Sequence, residues 1–392
     1  MNLVFNAESL RPPITGIGNY SYHLLQALMQ RRPDIQVHSF TGTGWVDGPG
    51  QLAITEAMKA DGGQLPGGAK ARIEADLRAL VAKIPGTKAA YDALMLRRFK
   101  QQVQSLGDPV YHEPNYILKP FAGPTVTTVH DLSHIHYPHF HQPHVRDWLA
   151  ELPETLARAS AVITVSDVVR DEVMEHFEVP AERIHTVYEG VDAQYYPRTA
   201  TECDEVLSAY DLAYGHYVLM VATLEPRKGV DTLLNAWEAL PASLRADCPL
   251  ILVGSSGWLN DDLTRQIERL ESGGTVRRLG YVPSAHLPPL FAGASVFSYP
   301  SLYEGFGLPV LDAMASGVPV ICRAGTSMAE FADGACRLCE TGDAGELAAA
   351  LEELLDNAGL RREWGERGRI QAQQFTWQRC AEQTAMIYDQ IR

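Results

Sequence analysis

The 392-residue chain is short of what several protein classes need. It has no run of about 18 or more apolar residues, so no segment reads as a membrane span. Cysteine is sparse, six in the whole chain, which is too few for a disulfide scaffold. The opening Met1-Asn2-Leu3-Val4-Phe5-Asn6 holds neither a basic region nor a long apolar core, so no signal peptide is expected. Basic charge is in deficit. Thirty-three Lys and Arg face 48 Asp and Glu, a net charge of −15, which disfavours a nucleic-acid binder. These absences point to a cytoplasmic protein with reduced thiols.

The rest of the composition is that of a globular protein, 46% hydrophobic and 21% charged. At roughly 150 residues per domain the length suits two or three domains. Short apolar runs alternate with helical patterns, which implies βα units and parallel sheets. Strands are expected at Leu3–Phe5, Thr125–Val129, Ala161–Val165, Tyr217–Thr223, Leu250–Val253, Ala294–Tyr299 and Val318–Cys322. Helices are expected from the Gly16/Gly18 loop to about Gln30, and from the Ser166 cap to about Phe177. Residues 193–214 have weak periodicity and read as a linker between two α/β domains. One stretch is basic within this acidic chain. Lys70, Arg72, Arg78, Lys83, Lys88, Arg97, Arg98 and Lys100 face only Glu74, Asp76 and Asp92, with Leu77, Leu80, Val81 and Ile84 at helical spacing. A solvated helix packed on the first domain and a helix docking on an anionic membrane surface are both open.

The most informative segment runs from Tyr299 to Pro319. A buried strand ends at Tyr299, and Glu304-Gly305-Phe306-Gly307 forms a loop. Pro309 is expected at the first helical position, and Gly317 with Pro319 closes the helix. Strand, glycine loop and helix N-terminus together make an anion site. Gly305 and Gly307 let backbone approach a phosphate, and Glu304 and Asp312 flank it with carboxylates suited to ribose and sugar hydroxyls.

This segment resembles the E-x7-E signature of retaining glycosyltransferases of family 4, with Asp312 in place of the second Glu. The resemblance covers nearly the whole chain. It implies the α/β GT-B fold, two Rossmann-like domains facing a cleft: an N-terminal acceptor domain over residues 1–195, a C-terminal donor domain over 196–374, and a last helix, 375–392, crossing back to the first domain. It implies that Glu304 contacts the donor sugar, that Asp312 serves the ribose, and that Phe306, Gly307, Leu308, Pro309 and Val310 line the donor. Met220 to Gly229 resembles the loop presenting Arg and Lys to the donor diphosphate, here Arg227 and Lys228; the family's usual earlier Arg position is Thr223. Gly254, Tyr281 and Val282 match donor-binding positions, the latter pair touching the base through backbone. Gly16 and Gly18 match the first glycine loop. His130 matches the strand-end histidine near the donor sugar, and Asp131 and His112 are candidate acceptor-side residues.

Six of the thirteen histidines fall within residues 130–144, but their spacing fits no zinc site, and no metal or other cofactor is expected. Cys336-x-x-Cys339, lacking a partner pair, reads as incidental. The run from Asp131 to Pro138 resembles bacterial mannosyltransferases of the family. The implied function is transfer of mannose from GDP-mannose, with retention, to a glycan or lipid-linked oligosaccharide in O-antigen or other surface-polysaccharide synthesis, on the inner face of the plasma membrane. Open alternatives are a UDP-glucose or UDP-N-acetylglucosamine donor, a non-catalytic nucleotide-sugar-binding subunit, or an epimerase or hydrolase on the same fold.

Overall fold

The computed structural model of the chain describes residues 1–12, 14, 16–42, 44–60, 87–255, 257 and 261–392. Its first sheet contains β1 (Asn2–Asn6), β2 (Gln36–Phe40), β3 (Trp45–Asp47), β4 (Val110–Glu113), β5 (Thr125–Val129), β6 (Ala161–Thr164) and β7 (Ile184–Thr186), in the order β3-β2-β1-β4-β5-β6-β7. Only the β2–β3 pair is antiparallel. The second sheet contains β8 (Val218–Val221), β9 (Leu250–Val253), β10 (Val276–Gly280), β11 (Val296–Tyr299), β12 (Val320–Arg323) and β13 (Arg337–Cys339), all parallel, in the order β10-β9-β8-β11-β12-β13. This is the expected pair of Rossmann-like domains. Helices cover the central strands on both faces, so β4, β5, β9 and β11 are buried along their whole length.

Strand order reverses between β1 and β4 in the first sheet and between β8 and β11 in the second. Crevices at the carboxyl ends of such strand pairs are where open α/β sheets bind ligands. The local signals hold at Ser166, whose hydroxyl accepts from the Val169 N–H at 3.2 Å to cap the helix Asp167–Phe177.

Two readings need correction. Pro309 is the second helical residue, because the helix Leu308–Ala315 starts one position earlier under an N-cap at Gly307. The expected linker at 193–214 carries the helix Ala200–Ala209, started by a capping box between Thr199 and Glu202. That four-residue signal outweighs the weak periodicity, and the helix packs on Leu287–Ala292 of the second domain.

The chain crosses between domains beside its own return. Val191 bridges Thr376, and its N–H donates to the Phe375 carbonyl at 3.1 Å. Gly190 lies so close to the Trp377 backbone that a Cβ would collide with it. The last helix, Trp377–Ile391, then packs on the helix Gly16–Arg31 of the first domain, with Arg32 bonding Asp389 at 2.9 Å. Among the described residues no helix is long and apolar enough to cross a membrane. Of the basic stretch, Lys70, Arg72, Arg78 and Lys83 lie outside the described residues, as do Leu77, Leu80, Val81 and Ile84. Arg97, Arg98 and Lys100 are exposed on the helix Thr87–Gln104.

Candidate active site

The second domain builds its half of the cleft from two loops at its switch point. After β8 a short turn, Pro226–Lys228, ends at Gly229 with φ of +68°. A Cβ there would strike the Pro300 carbonyl at the end of β11, so glycine lets the two loops interlock. The Arg227 carbonyl accepts from the Leu302 N–H at 2.8 Å. The basic pair thereby meets the acidic loop. Lys228 Nζ lies 2.6 Å from Glu304 Oε1, which also accepts from the Ser301 hydroxyl at 2.6 Å. Arg227 donates to the Tyr303 carbonyl at 2.8 Å and pairs with Glu225 at 2.7 Å.

Burial alone would push the Glu304 carboxyl up, but Lys228 and Arg227 outweigh it and hold the carboxyl below its usual range. Arg227 follows the same logic with the opposite sign. Burial disfavours its charge, yet Glu304, Asp131 and Glu225 keep it firmly protonated. The site is thus a desolvated cluster of ionised groups, where a developing charge interacts strongly. Beside it, Gly307 has φ of +107° and caps the helix Leu308–Ala315. Of the N-terminal groups expected to face an anion, Pro309 offers no N–H, and that of Val310 is spent on the Gly307 carbonyl at 2.9 Å. Those of Gly307 and Leu308 remain at the helix mouth. The Phe306 ring packs against Phe331 in the core rather than facing the cleft, its centroid 4.9 Å away.

A cavity of about 230 Å³ continues from this point between the domains, lined by Tyr195, Val282, Leu308 and Asp312 on one side and by Asn19, His23 and Asp192 on the other. Burial, with Asp192 and Glu189 nearby, raises the Asp312 carboxyl well above its ordinary value. The two acids of one motif are therefore set apart, Glu304 ionised and Asp312 inclined to hold its proton. Tyr281, 70% exposed, stands at the cavity rim. Gly254, at φ +135°, is pressed on the Ala222 carbonyl and donates to Gly280 at 2.8 Å, which ties the β9 and β10 ends to the β8 loop.

The first domain contributes the ends of β1, β4 and β5. A Cβ on Gly18 would meet the Ser9 carbonyl at 2.6 Å, whereas one on Gly16 would meet nothing. Gly18 thus serves loop packing and Gly16 stands at open space. His130 is buried. Its Nε2 hydrogen donates to the Pro114 carbonyl at 2.8 Å and its Nδ1 lies 3.6 Å from Glu189. Asp131 follows, its Oδ1 accepting from the Ser133 N–H at 3.0 Å and from the Ser133 hydroxyl at 2.7 Å. Burial pushes the Asp131 carboxyl up, but Arg227 across the cleft and the Ser133 bonds bring it below its ordinary range. His112 lies elsewhere. It is fully buried, with one ring nitrogen 2.5 Å from the Tyr388 hydroxyl and the other 2.9 Å from Thr128 Oγ1. With both nitrogens taken it fastens the last helix to β4 and has no face toward an acceptor. Burial lowers its pKa to about 3.

Several residues that join the two halves were not foreseen. The Tyr303 hydroxyl accepts from the Leu132 N–H at 2.8 Å and donates to Glu172 at 2.6 Å, both in the first domain. Glu330 of the second domain accepts from the Asp167 and Val168 N–H groups at 2.9 and 2.7 Å, capping a helix of the first. Gly305 lies so close to the His130 carbonyl that no Cβ fits. Tyr303 and Gly305 flank Glu304 in sequence, so the loop that carries the carboxylate also closes the cleft. Gly305, read as a glycine for close approach to a phosphate, instead lets the loop meet the His130 backbone; adjacency to Glu304 was the only signal for Tyr303, and nothing local announced Glu330.

The profile of glycosyl transferases group 1 matches residues 215–371, and that of glycosyltransferase family 4 matches residues 14–195. The O-antigen chain mannosyltransferase B of Escherichia coli is 38% identical over 389 residues, 99% of each chain. Among solved structures, Anabaena HepE in complex with UDP and glucose superposes with a TM-score of 0.70 over 100% of both chains at 20% identity. WaaG, a glycosyltransferase involved in lipopolysaccharide biosynthesis, gives 0.67 at 16% identity, over 100% of this chain and 99% of its own. The chain belongs to the family 4 glycosyltransferases and has their GT-B fold.

Proposed function

We propose that the chain transfers mannose from GDP-mannose, with retention of anomeric configuration, to a growing glycan or lipid-linked oligosaccharide of a surface polysaccharide. The observation that carries this reading is the buried Lys228–Glu304–Arg227 cluster at the second switch point, facing His130 and Asp131 across the cleft. The mannosyl donor and the O-antigen context rest on the 38% identical relative.

The donor diphosphate lies against Arg227, Lys228 and the Gly307–Leu308 helix mouth, the sugar beside Glu304 and His130, and the nucleoside in the cavity with Asp312. Lys228 and Arg227 leave their carboxylates in part to take phosphate oxygens; a compact ammonium and a forked guanidinium together spread over the diphosphate. The bond from C1 of the sugar to phosphate breaks, and its electron pair departs with the diphosphate. The acceptor hydroxyl attacks the same face, and its proton passes to the departing oxygen. The two cations stabilise the charge that grows there. Glu304 stabilises positive character on the sugar ring, and domain closure through Tyr303 excludes water.

The test is nucleotide release from GDP-mannose, UDP-glucose and UDP-N-acetylglucosamine, each with and without mannose-containing acceptors. GDP release stimulated by a mannosyl acceptor, with an α-linked product by NMR, is expected. Release from a UDP-sugar instead would overturn the donor, and an inverted product the stereochemistry. We also place the protein on an anionic membrane surface through its exposed Arg97, Arg98 and Lys100. Each basic residue near such a surface contributes about 1 kcal/mol, so R97E/R98E/K100E is expected to lose cosedimentation with phosphatidylglycerol vesicles. Unchanged sedimentation would leave that helix a solvated face.

A further inference from the structure

Around Asp131 the first domain holds polar groups that no step above uses. The Asp131 carboxylate acts electrostatically on both His134 and His141, and Arg227 and Glu225 of the opposite domain act on His141, which also meets the Ser133 backbone. Each has one ring nitrogen shielded from solvent without a hydrogen-bond partner among the described residues, Nδ1 of His134 and Nε2 of His141. Buried polar atoms are satisfied almost everywhere in native proteins, so two such nitrogens within the field of one carboxylate, where the domains meet, point to a polar ligand. Burial lowers both imidazoles from their ordinary value, which suits neutral rings that accept from or donate to hydroxyls. Asp131 commits Oδ1 to Ser133, and its carboxylate also meets the Tyr116 hydroxyl.

An aromatic wall adjoins this group. Tyr116 has φ of +58°, a conformation costly for a bulky residue. That turn lets its hydroxyl accept from the Asp131 N–H at 3.0 Å while its ring meets His130 on one side and Trp148 on the other, at 5.8 and 6.1 Å. Trp148 is 38% exposed, so part of its ring is open to a ligand. Hydroxyl-binding groups next to an open indole match a pyranose, which has hydroxyls on its rim and C–H bonds on its faces.

We infer that Asp131, His134 and His141 bind hydroxyls of the acceptor's terminal sugar, and that Trp148 is the surface against which that sugar's C–H face lies. This rests on the transferase reading. The subsite stands opposite Arg227, so the sugar it holds is next to the breaking bond.

The test is steady-state kinetics with GDP-mannose and a panel of α-mannosyl di- and trisaccharides, for wild type, H134A, H141A and W148A. Loss of one hydrogen bond or one stacking face is expected to raise the acceptor KM by about tenfold. The KM for GDP-mannose should stay within about twofold, and W148F should recover most of the acceptor affinity. A rise in the donor KM instead, or an unmoved acceptor KM in all three variants, would overturn the subsite and leave the transferase reading standing. A wild type that extends no glycan in the panel would overturn that reading and the subsite with it.

Discussion

The two walls of the cleft are built in opposite ways. The second domain draws Arg227, Lys228, Glu304 and the helix mouth from two loops at one switch point, and its groups are ionised and paired. The first domain draws Tyr116, His130, Asp131 and Glu189 from loops after different strands, and half of these groups are aromatic or imidazole, held by single backbone carbonyls and amides. A diphosphate carries the same charge whatever sugar it bears, so a compact cationic loop serves it. A glycan acceptor has no charge and must be recognised by hydroxyls and C–H faces, which takes many weak groups from distant positions.

The largest effect that could break this comparison lies on the charged wall. Lys228→Ala and Glu304→Ala are each expected to reduce kcat by about 10²–10³-fold, the scale of removing one charge-stabilising group from a preorganised site. Lys228→Ala also leaves Glu304 buried without its partner, a destabilisation of about 3–5 kcal/mol, read as a lower urea midpoint. The double variant K228M/E304Q should recover that stability and none of the activity. Recovery of turnover would show the pair to be scaffold rather than chemistry, and the contrast between the walls would fall.

The charged wall was also the legible one. Strand, glycine loop and helix N-terminus follow within about ten residues of sequence around Glu304, and so do the turn and helix around Lys228. Each needs only local chemistry to be read. His112 shows why the other wall resisted. It sits beside Glu113 at the end of β4, where a strand-end histidine suits an acceptor site, yet its role is set by Thr128 and by Tyr388, 276 residues away. No local pattern announces a partner so distant. Tyr116, Glu172 and Glu330 were hidden for the same reason, and the helix Ala200–Ala209 because its amphipathic signal is weaker than its cap. This gives a second prediction. His112 has a folded pKa of about 3 against 6.5 in the unfolded chain, so the unfolded state takes the proton first. Its contribution is complete above about pH 6.5 and is lost as pH falls through that value toward the folded one. Between about pH 7 and pH 5 the loss is about 2 kcal/mol. His112→Gln should be less stable than wild type at pH 7 and should show a flatter decline, followed by urea midpoints across that range. An unchanged slope would mean that the imidazole is not held neutral.

A third prediction concerns the seam between the walls. Tyr303→Phe removes the hydroxyl that accepts from Leu132 and donates to Glu172, and Glu330→Ala removes the carboxylate that accepts from the first two N–H groups of the helix Asp167–Phe177, leaving the Ser166 cap in place. Neither removes a group placed on the substrates. Each bond is worth about 1–2 kcal/mol, so each variant should lower acceptor-dependent turnover by about tenfold, and the pair should enlarge the radius of gyration measured by X-ray scattering. Full turnover in the double variant would show that closure does not depend on this loop, and would separate Glu304's chemistry from its neighbours' mechanics.

The smallest expected effect sharpens the comparison within one motif. Glu304 and Asp312 belong to the same strand-loop-helix segment, yet cations lower the first carboxyl while burial with Asp192 and Glu189 raises the second. Environment, not residue type, assigns the ionised and the proton-holding roles. A carboxyl whose folded pKa is raised gives stability that is full below the unfolded value near 3.8 and lost as pH rises through the folded one. Asp312→Asn keeps the size and the hydrogen-bonding capacity of the protonated acid and lacks that loss. It should therefore change the affinity for GDP by no more than about threefold, and its stability relative to wild type should grow as pH rises from about 5 to 8. The matching exchange, Glu304→Gln, should abolish turnover, because there the charge itself is needed to balance Lys228 and to face the sugar. Calorimetric GDP binding and urea midpoints at both pH values measure the contrast. A large loss of GDP affinity in Asp312→Asn would mean that the nucleotide meets an ionised carboxylate at 312 after all, and that both acids of the motif act by charge.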